Sequence, residues 1–228
     1  YGFAGAIRLA GEAALRTGAG VVSIATRPEH ICALNASRPE LMCHAITNID
    51  DMQKMISHVN FILMGPGLGQ QQWGKDLLDY VLLEYQGNLL IDADGLNNLA
   101  LRSQIYSRKN WILTPHPGEA ARLLGVSTTD IQNDRVGAIK KLRDRFGGVI
   151  VLKGCGTLIM SEASDDVFMC EAGNPGMSSA GMGDVLSGVI SGFAAQTVPL
   201  VDAAKLGVLV HAMAGDLAAG SGERGIIA

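Results

Sequence analysis

The sequence predicts an α/β protein: three layers, with a mostly parallel central sheet and helices on both of its faces. Three observations carry this. Short apolar runs rich in β-branched residues alternate with helical stretches along most of the chain. No internal repeat or linker interrupts the alternation. The loops with unusual chemistry all follow the C-terminal ends of the apolar runs, where open α/β sheets bind their ligands.

Residues 4–16 are Ala-rich and helical, with Ile7, Leu9, Ala10 and Leu15 available for packing. Thr17-Gly18-Ala19-Gly20 ends that helix, and residues 21–26 follow as a buried strand. Pro28 suits the first turn of a helix reaching about Ala36, and residues 39–42 are extended. Asp50 and Asp51 start a short helix to about His58, and residues 61–64 form a second buried strand. An amphipathic helix over 73–85 and a third strand over 88–91 come next, then a helix over 96–102 and a fourth strand over 111–113. Residues 130–146 read as one charged surface helix, and 149–152 as a fifth strand. Residues 158–160 and 167–169 read as a strand pair around an acidic turn. Two apolar helices close the chain, from Asp184 and from Val201 to about Ala219.

A chain of 228 residues suits one α/β domain, and 48% apolar against 18% charged content marks a well-buried globular chain. A net charge of -4 argues against a nucleic-acid surface, which would need a basic face. Cys32, Cys43, Cys155 and Cys170 form no Cys-x-x-Cys pair and have no His at zinc spacing, so they read as reduced residues of a cytoplasmic protein. The longest uncharged run, 185–201, falls short of a comfortable membrane span and contains Pro199. The first residue is Tyr1, in mid-motif, so a preceding strand is expected outside these residues, with room for an upstream domain.

The stretch 173–184 is the most informative. Gly181 and Gly183 flank Met182 and lead into an apolar helix, whose free first-turn amides and positive dipole end make an anion site. Asp184 sits at its edge. It either caps the helix or takes a proton from a hydroxyl attacking a phosphorus held by the amides. Lys153-Gly154-Cys155-Gly156-Thr157 follows a buried strand and is either a tight hairpin or a phosphate-approaching turn with an added charge and hydroxyl. Gly65-Pro66-Gly67-Leu68-Gly69 is a strand-to-helix turn or a close approach to ligand, and its spacing is not that of the dinucleotide fingerprint. His116 is held between Pro115 and Pro117 at a strand end, which favours ligand contact. Glu119 reads as a helix cap in preference to a holder of metal-bound water. Asp92 and Asp94 could hold magnesium through water, or Asp94 could be an N-cap with Asn97 three residues on. No residue is assigned as a direct metal ligand.

Taken in order, five of these motifs resemble the ADP/ATP-dependent NAD(P)H-hydrate dehydratases, the carbohydrate-kinase-like domain that often follows an NAD(P)H-hydrate epimerase domain in one chain. They are 65–69, the Asp92-to-Asn97 stretch, the Thr114-to-Glu119 stretch, 153–157 and 173–184, and the match covers nearly the whole sequence. The chain departs from the family in lacking a first strand with its glycine-rich turn, and in carrying Cys155 where Ala is usual. The resemblance implies a ribokinase-like fold. It implies that Lys153, Gly154, Cys155, Gly156, Thr157 and Gly183 hold ADP or ATP, with magnesium, and that Ala6, Gly67, His116 and Asp184 contact hydrated NADH or NADPH. The implied reaction is repair: the ring hydroxyl of the S epimer is phosphorylated and phosphate then leaves. Bacterial members usually prefer ADP, which leaves AMP. Asp184 would be the base, and the amides of Gly181, Met182 and Gly183 would stabilise the transferred phosphoryl group. A homo-oligomer, with a tetramer among the options, and a fused or separate epimerase are the implied partners. Two rivals remain open: a small-molecule kinase of the same fold, and a nucleotide-binding module without catalysis.

Overall fold

α1 (Ala4–Thr17) ends where Gly18 turns left-handed, at φ 110°, and caps the last carbonyls. β1 (Val22–Thr26) follows, and pairs in parallel with β2 (Leu41–Ala45) across the connecting α2 (Ile31–Ser37). α3 (Ile49–Ile56) opens on a reciprocal cap between Asn48 and Asp51. The computed structural model describes residues 3–228, the side chains of Ser37 and Ser221 excepted.

The second sheet runs in chain order: β3 (Phe61–Met64), β4 (Asn88–Ile91), β5 (Trp111–Leu113), β6 (Val149–Leu152), β7 (Thr157–Ser161) and β8 (Phe168–Cys170). β3 to β6 are parallel, and β7 and β8 add antiparallel pairs. Period-2 alternation divides its side chains between two apolar layers. Leu89, Ile91, Trp111, Leu113, Ile150 and Leu152 face α4 (Gln72–Glu84), α5 (Ala93–Ala100), α6 (Pro117–Leu124) and α8 (Arg135–Phe146). Leu90, Ile112, Val149 and Val151 face α9 (Met182–Ala195) and α10 (Leu200–Ala218).

α9 carries Asp184, and its placement is fixed by contact too close for larger residues. A β-carbon on Gly188 would run into the Ala10 carbonyl of α1, and one on Gly192 would lie 2.6 Å from Thr17 Cβ. On its other side Ile190 fills the space above Gly207 of α10.

Several expectations change. The helix expected over 130–146 is two, α7 (Thr128–Asn133) and α8, broken at Asp134. Asp134 leaves helical geometry so that its carboxylate can accept the Gly137 amide at 2.8 Å. Asp94 is not an N-cap: α5 starts from Asp92, whose side chain makes no capping bond. The strands expected as buried over 21–26 and 61–64 are only half-buried, with Val21 71% exposed. The reason is a gap in the middle layer. β1–β2 and β3–β8 do not pair, and a cavity of about 1140 Å³ lies between them. Its walls include β1 and β3, Ala10 and Ala14 of α1, Ser191 and Ala195 of α9, Met52 and Met55 of α3, and Leu77 of α4. Among the described residues, no helix is long and apolar enough to cross a membrane.

Candidate active site

Three strand ends and one helix start converge. β4 leads into Asp92, which is 1% exposed, and its two carboxylate oxygens are both engaged. One accepts Lys153 Nζ at 2.7 Å and the other accepts Ser187 Oγ at 2.7 Å. Lys153 follows β6, and Ser187 lies on α9 three residues beyond Asp184, on the same side of the helix. Asp92 thus ties the lysine and the helix to one strand end. The Lys153 amide donates to the Pro115 carbonyl at 2.9 Å, which joins the ends of β5 and β6.

α9 begins from Gly181 at φ 93°, with no side-chain cap on its first amides. Met182 donates to the Ser179 carbonyl only at 3.5 Å, and among the described residues the Gly181, Gly183 and Asp184 amides have no protein acceptor. That leaves donors at the positive end of a 14-residue helix. Gly183 sits flush against the lysine: a β-carbon there would lie 3.4 Å from Lys153 Nζ.

The carboxylates differ in how firmly they hold a proton. Burial, and then the nearby charge of Asp92, push the Asp184 carboxyl up to about 6, with Asp94 adding and Lys153 opposing. Glu119 is pushed up to about 7, chiefly by burial, against the pull of Lys153. Burial works against the Lys153 ammonium, but Asp92 and Glu119 outweigh it and hold it above its usual range.

Glu119 takes the structural role expected of it. It accepts the His116 amide at 2.8 Å while His116 Nδ1 accepts the Gly118 amide at 3.0 Å, a reciprocal cap at the start of α6. Burial, then Lys153 and Arg122, hold the His116 imidazole below its usual range, which favours the neutral ring. With Nδ1 accepting, its proton is on Nε2, 3.4 Å from Glu119 Oε1. His116 is therefore a hydrogen-bond donor here, and its half-exposed ring can offer that donor to a ligand.

The structure brings Asp184, Gly181, Met182, Gly183, Lys153 and His116 into one region. Ala6 and Gly67 lie together beside it. Ala6 donates to the Phe3 carbonyl at 3.1 Å, the same carbonyl against which Gly67 packs with φ 66°. Leu9, three residues on from Ala6, touches the Gly181 position. Gly154, Cys155, Gly156 and Thr157 form the β6–β7 hairpin, but the Lys153 side chain leaves that turn for Asp92 and the first turn of α9. Asp94 accepts the Gly69 amide at 3.0 Å and so fastens the 65–69 loop to α5. Sequence reasoning missed Ser187 and the buried pairing of Asp92; the Asp-x-x-Ser spacing on an apolar helix face was the available signal. Among the described residues, no three His, Cys, Asp or Glu side chains cluster closely enough to hold a metal ion.

A mostly parallel sheet with helices on both faces, and an acid at a glycine-led helix start near a largely buried lysine, mark an α/β protein of ribokinase-like fold. Comparison with known proteins narrows this: the NAD(P)H-hydrate dehydratase family model matches residues 1–226, and the chain belongs to that family. It is 51% identical to the bifunctional NAD(P)H-hydrate repair enzyme Nnr of Coxiella burnetii, over 100% of this chain and 46% of that protein. It is 37% identical to the ADP-dependent (S)-NAD(P)H-hydrate dehydratase of Neisseria meningitidis, over 95% of this chain and 73% of that one. The ADP/ATP-dependent NAD(P)H-hydrate dehydratase of Bacillus subtilis, co-crystallised with ATP and Mg2+, superposes with a TM-score of 0.85 at 28% identity, over 99% of this chain and 80% of that one. The chain spans about half the length of the bifunctional relatives it matches.

Proposed function

We propose that this chain dehydrates the S epimer of hydrated NADH or NADPH at the expense of ADP or ATP, restoring the reduced cofactor and releasing phosphate with AMP or ADP. The observation that carries the reading is Asp184, placed in the first turn of α9 beside unpartnered amides and the Lys153–Asp92 pair. Hydroxide is a poor leaving group from the ring and phosphate a good one. Asp184 takes the proton of the ring hydroxyl as its oxygen bonds to phosphorus and the nucleotide departs. The amides of Gly181, Met182 and Gly183 and the Lys153 ammonium face the negative charge that develops. The C–O bond then breaks: phosphate leaves with the bonding pair as the ring nitrogen's lone pair moves in, and loss of a proton from the adjacent ring carbon to water re-forms the ring double bond.

The turn at 153–157 and Gly183 hold the nucleotide, and Ala6, Gly67 and His116 line the approach of the hydrated cofactor. Magnesium fits the donor set as a cation held mainly by phosphates and water: Asp92 is spent on Lys153 and Ser187, and no three-carboxylate cage exists among the described residues. When bound it would offset phosphate charge.

The longer relatives support an epimerase as a fused or separate partner, and the unpaired cysteines suit a cytoplasmic setting. Exposed Leu206, Leu209, Val210 and Met213 on α10 suit contact with a second copy. The slot between β1 and β3 suits a further parallel strand, which would complete the right-handed unit that α1 and β1 begin. Incubation with hydrated NADH and ADP or ATP tests the function: restored NADH absorbance with stoichiometric phosphate is expected. An accumulating phosphorylated product would favour the kinase reading, and tight ADP binding without turnover the binding-module reading.

A further inference from the structure

The break at Asp134 sets Arg135 at the first position of α8, beside the end of β6. Its guanidinium passes behind the 153–157 turn. Nη1 donates to the Cys155 carbonyl, and Nη2 donates to the carbonyls of Leu152 at 3.1 Å and Lys153 at 3.4 Å. Thr157 Oγ1 donates to the Gly154 carbonyl at 3.0 Å. Four consecutive carbonyls, 152 to 155, are thereby held by side-chain donors. The amides of Gly154, Cys155 and Gly156, in contrast, have no protein acceptor among the described residues. Gly154 at φ 144° and Gly156 at φ 66° permit this arrangement, and a β-carbon on Gly154 would press to 3.1 Å from Arg135 Nη2.

Successive free amides in a turn whose carbonyls are tied elsewhere make an anion-binding concavity. We propose that Arg135 is the positioning residue of the nucleotide site: it holds the carbonyls of the 153–157 turn back so that the turn presents only donors to the phosphates of a nucleoside diphosphate. This rests on the reading of that turn as the nucleotide site. A three-carbonyl grip suits a planar guanidinium and not an ammonium, which reaches fewer acceptors at once. Lys153 cannot take over the task, since its ammonium is committed to Asp92.

Calorimetric titration with ADP and magnesium tests this on the wild-type chain, Arg135→Ala and Arg135→Lys, with thermal melting as the check on folding. ADP affinity falls at least about tenfold in Arg135→Ala, as expected when several charge-assisted bonds are lost, and added guanidinium ion restores part of it. Arg135→Lys is weakened as well. In turnover assays the KM for the nucleotide rises by a larger factor than kcat falls. A folded Arg135→Ala that binds ADP within about twofold of wild type overturns the proposal. Should that variant not fold, Arg135→Lys decides on the same threshold. Failure of the wild-type chain to bind ADP overturns the nucleotide reading of the turn, and the role of Arg135 with it.

Discussion

The two sheets start from short strand-forming runs and end in different environments. β4, β5 and β6 are short apolar runs with neighbours on both edges and helices on both faces, and their core residues are almost wholly buried. β1 is a mixed run, Val-Ser-Ile-Ala-Thr, and only Ile24 and Thr26 are buried, because one edge of the β1–β2 pair faces the 1140 Å³ cavity. An apolar pattern says that a strand can be buried on two faces; the neighbours decide whether it is. The candidate site residues sit at the ends of the filled sheet, where Asp92, His116 and Lys153 follow β4, β5 and β6 in register.

Breaking the chemistry at the filled sheet should have the largest effect. Asp184→Asn is expected to fold and bind ADP but to turn over at least ~10²-fold more slowly, the usual loss for a general base, as measured by NADH recovery. Near-normal turnover would remove Asp184 from the mechanism. Next in size is the contrast in packing. Leu90→Ala, at a site with 0% exposure between sheet and α10, should lower unfolding stability by about 2–5 kcal/mol. Val22→Ala in half-buried β1 should lower it by about 1 kcal/mol or less. In a chain whose slot is filled by a further strand, the Val22 figure should move toward the Leu90 one; equal losses in the present chain would contradict the contrast.

The smallest effect concerns protons. Glu119 holds its proton more tightly folded, at about 7, than at its ordinary 4.5. The folded state therefore binds the extra proton between those values, and stability falls as pH rises through that window. Asp184, at about 6 against 3.8, acts in the same direction. Glu119→Gln stays neutral, so chemical denaturation of that variant should show a shallower decline between about pH 4.5 and 7. An unchanged slope would contradict the burial argument.

Much of this was legible from local pattern. Strand and helix alternation depends on periodicity, and the glycines at 181 and 183 depend on backbone freedom and close approach; both are properties of neighbouring residues. The position of Asp184 in the first turn of α9 was legible because the glycines before it and the apolar run after it are its neighbours in sequence. Asp92 was not, since its partners are 61 and 95 residues away in the chain. The interruption at Asp134 lies inside a long charged run, 130–146, which reads as one surface helix although Asn133, Asp134 and Gly137 are poor helix formers. The Asp134 carboxylate accepts the Gly137 amide, and the Arg135 grip on the 153–157 turn follows from the interruption. Of the two readings open for Asp94, the cap fails because α5 starts from Asp92; its carboxylate fastens the Gly69 loop.

The most direct measurement is kcat/KM against pH for the dehydration of hydrated NADH. With Asp184 as the base, the rate should rise with pH through an acid limb centred at about 6, where burial and Asp92 place its carboxyl. A rate that is flat from pH 5 to 8, or a limb at an ordinary carboxylate value near 4, would contradict the account.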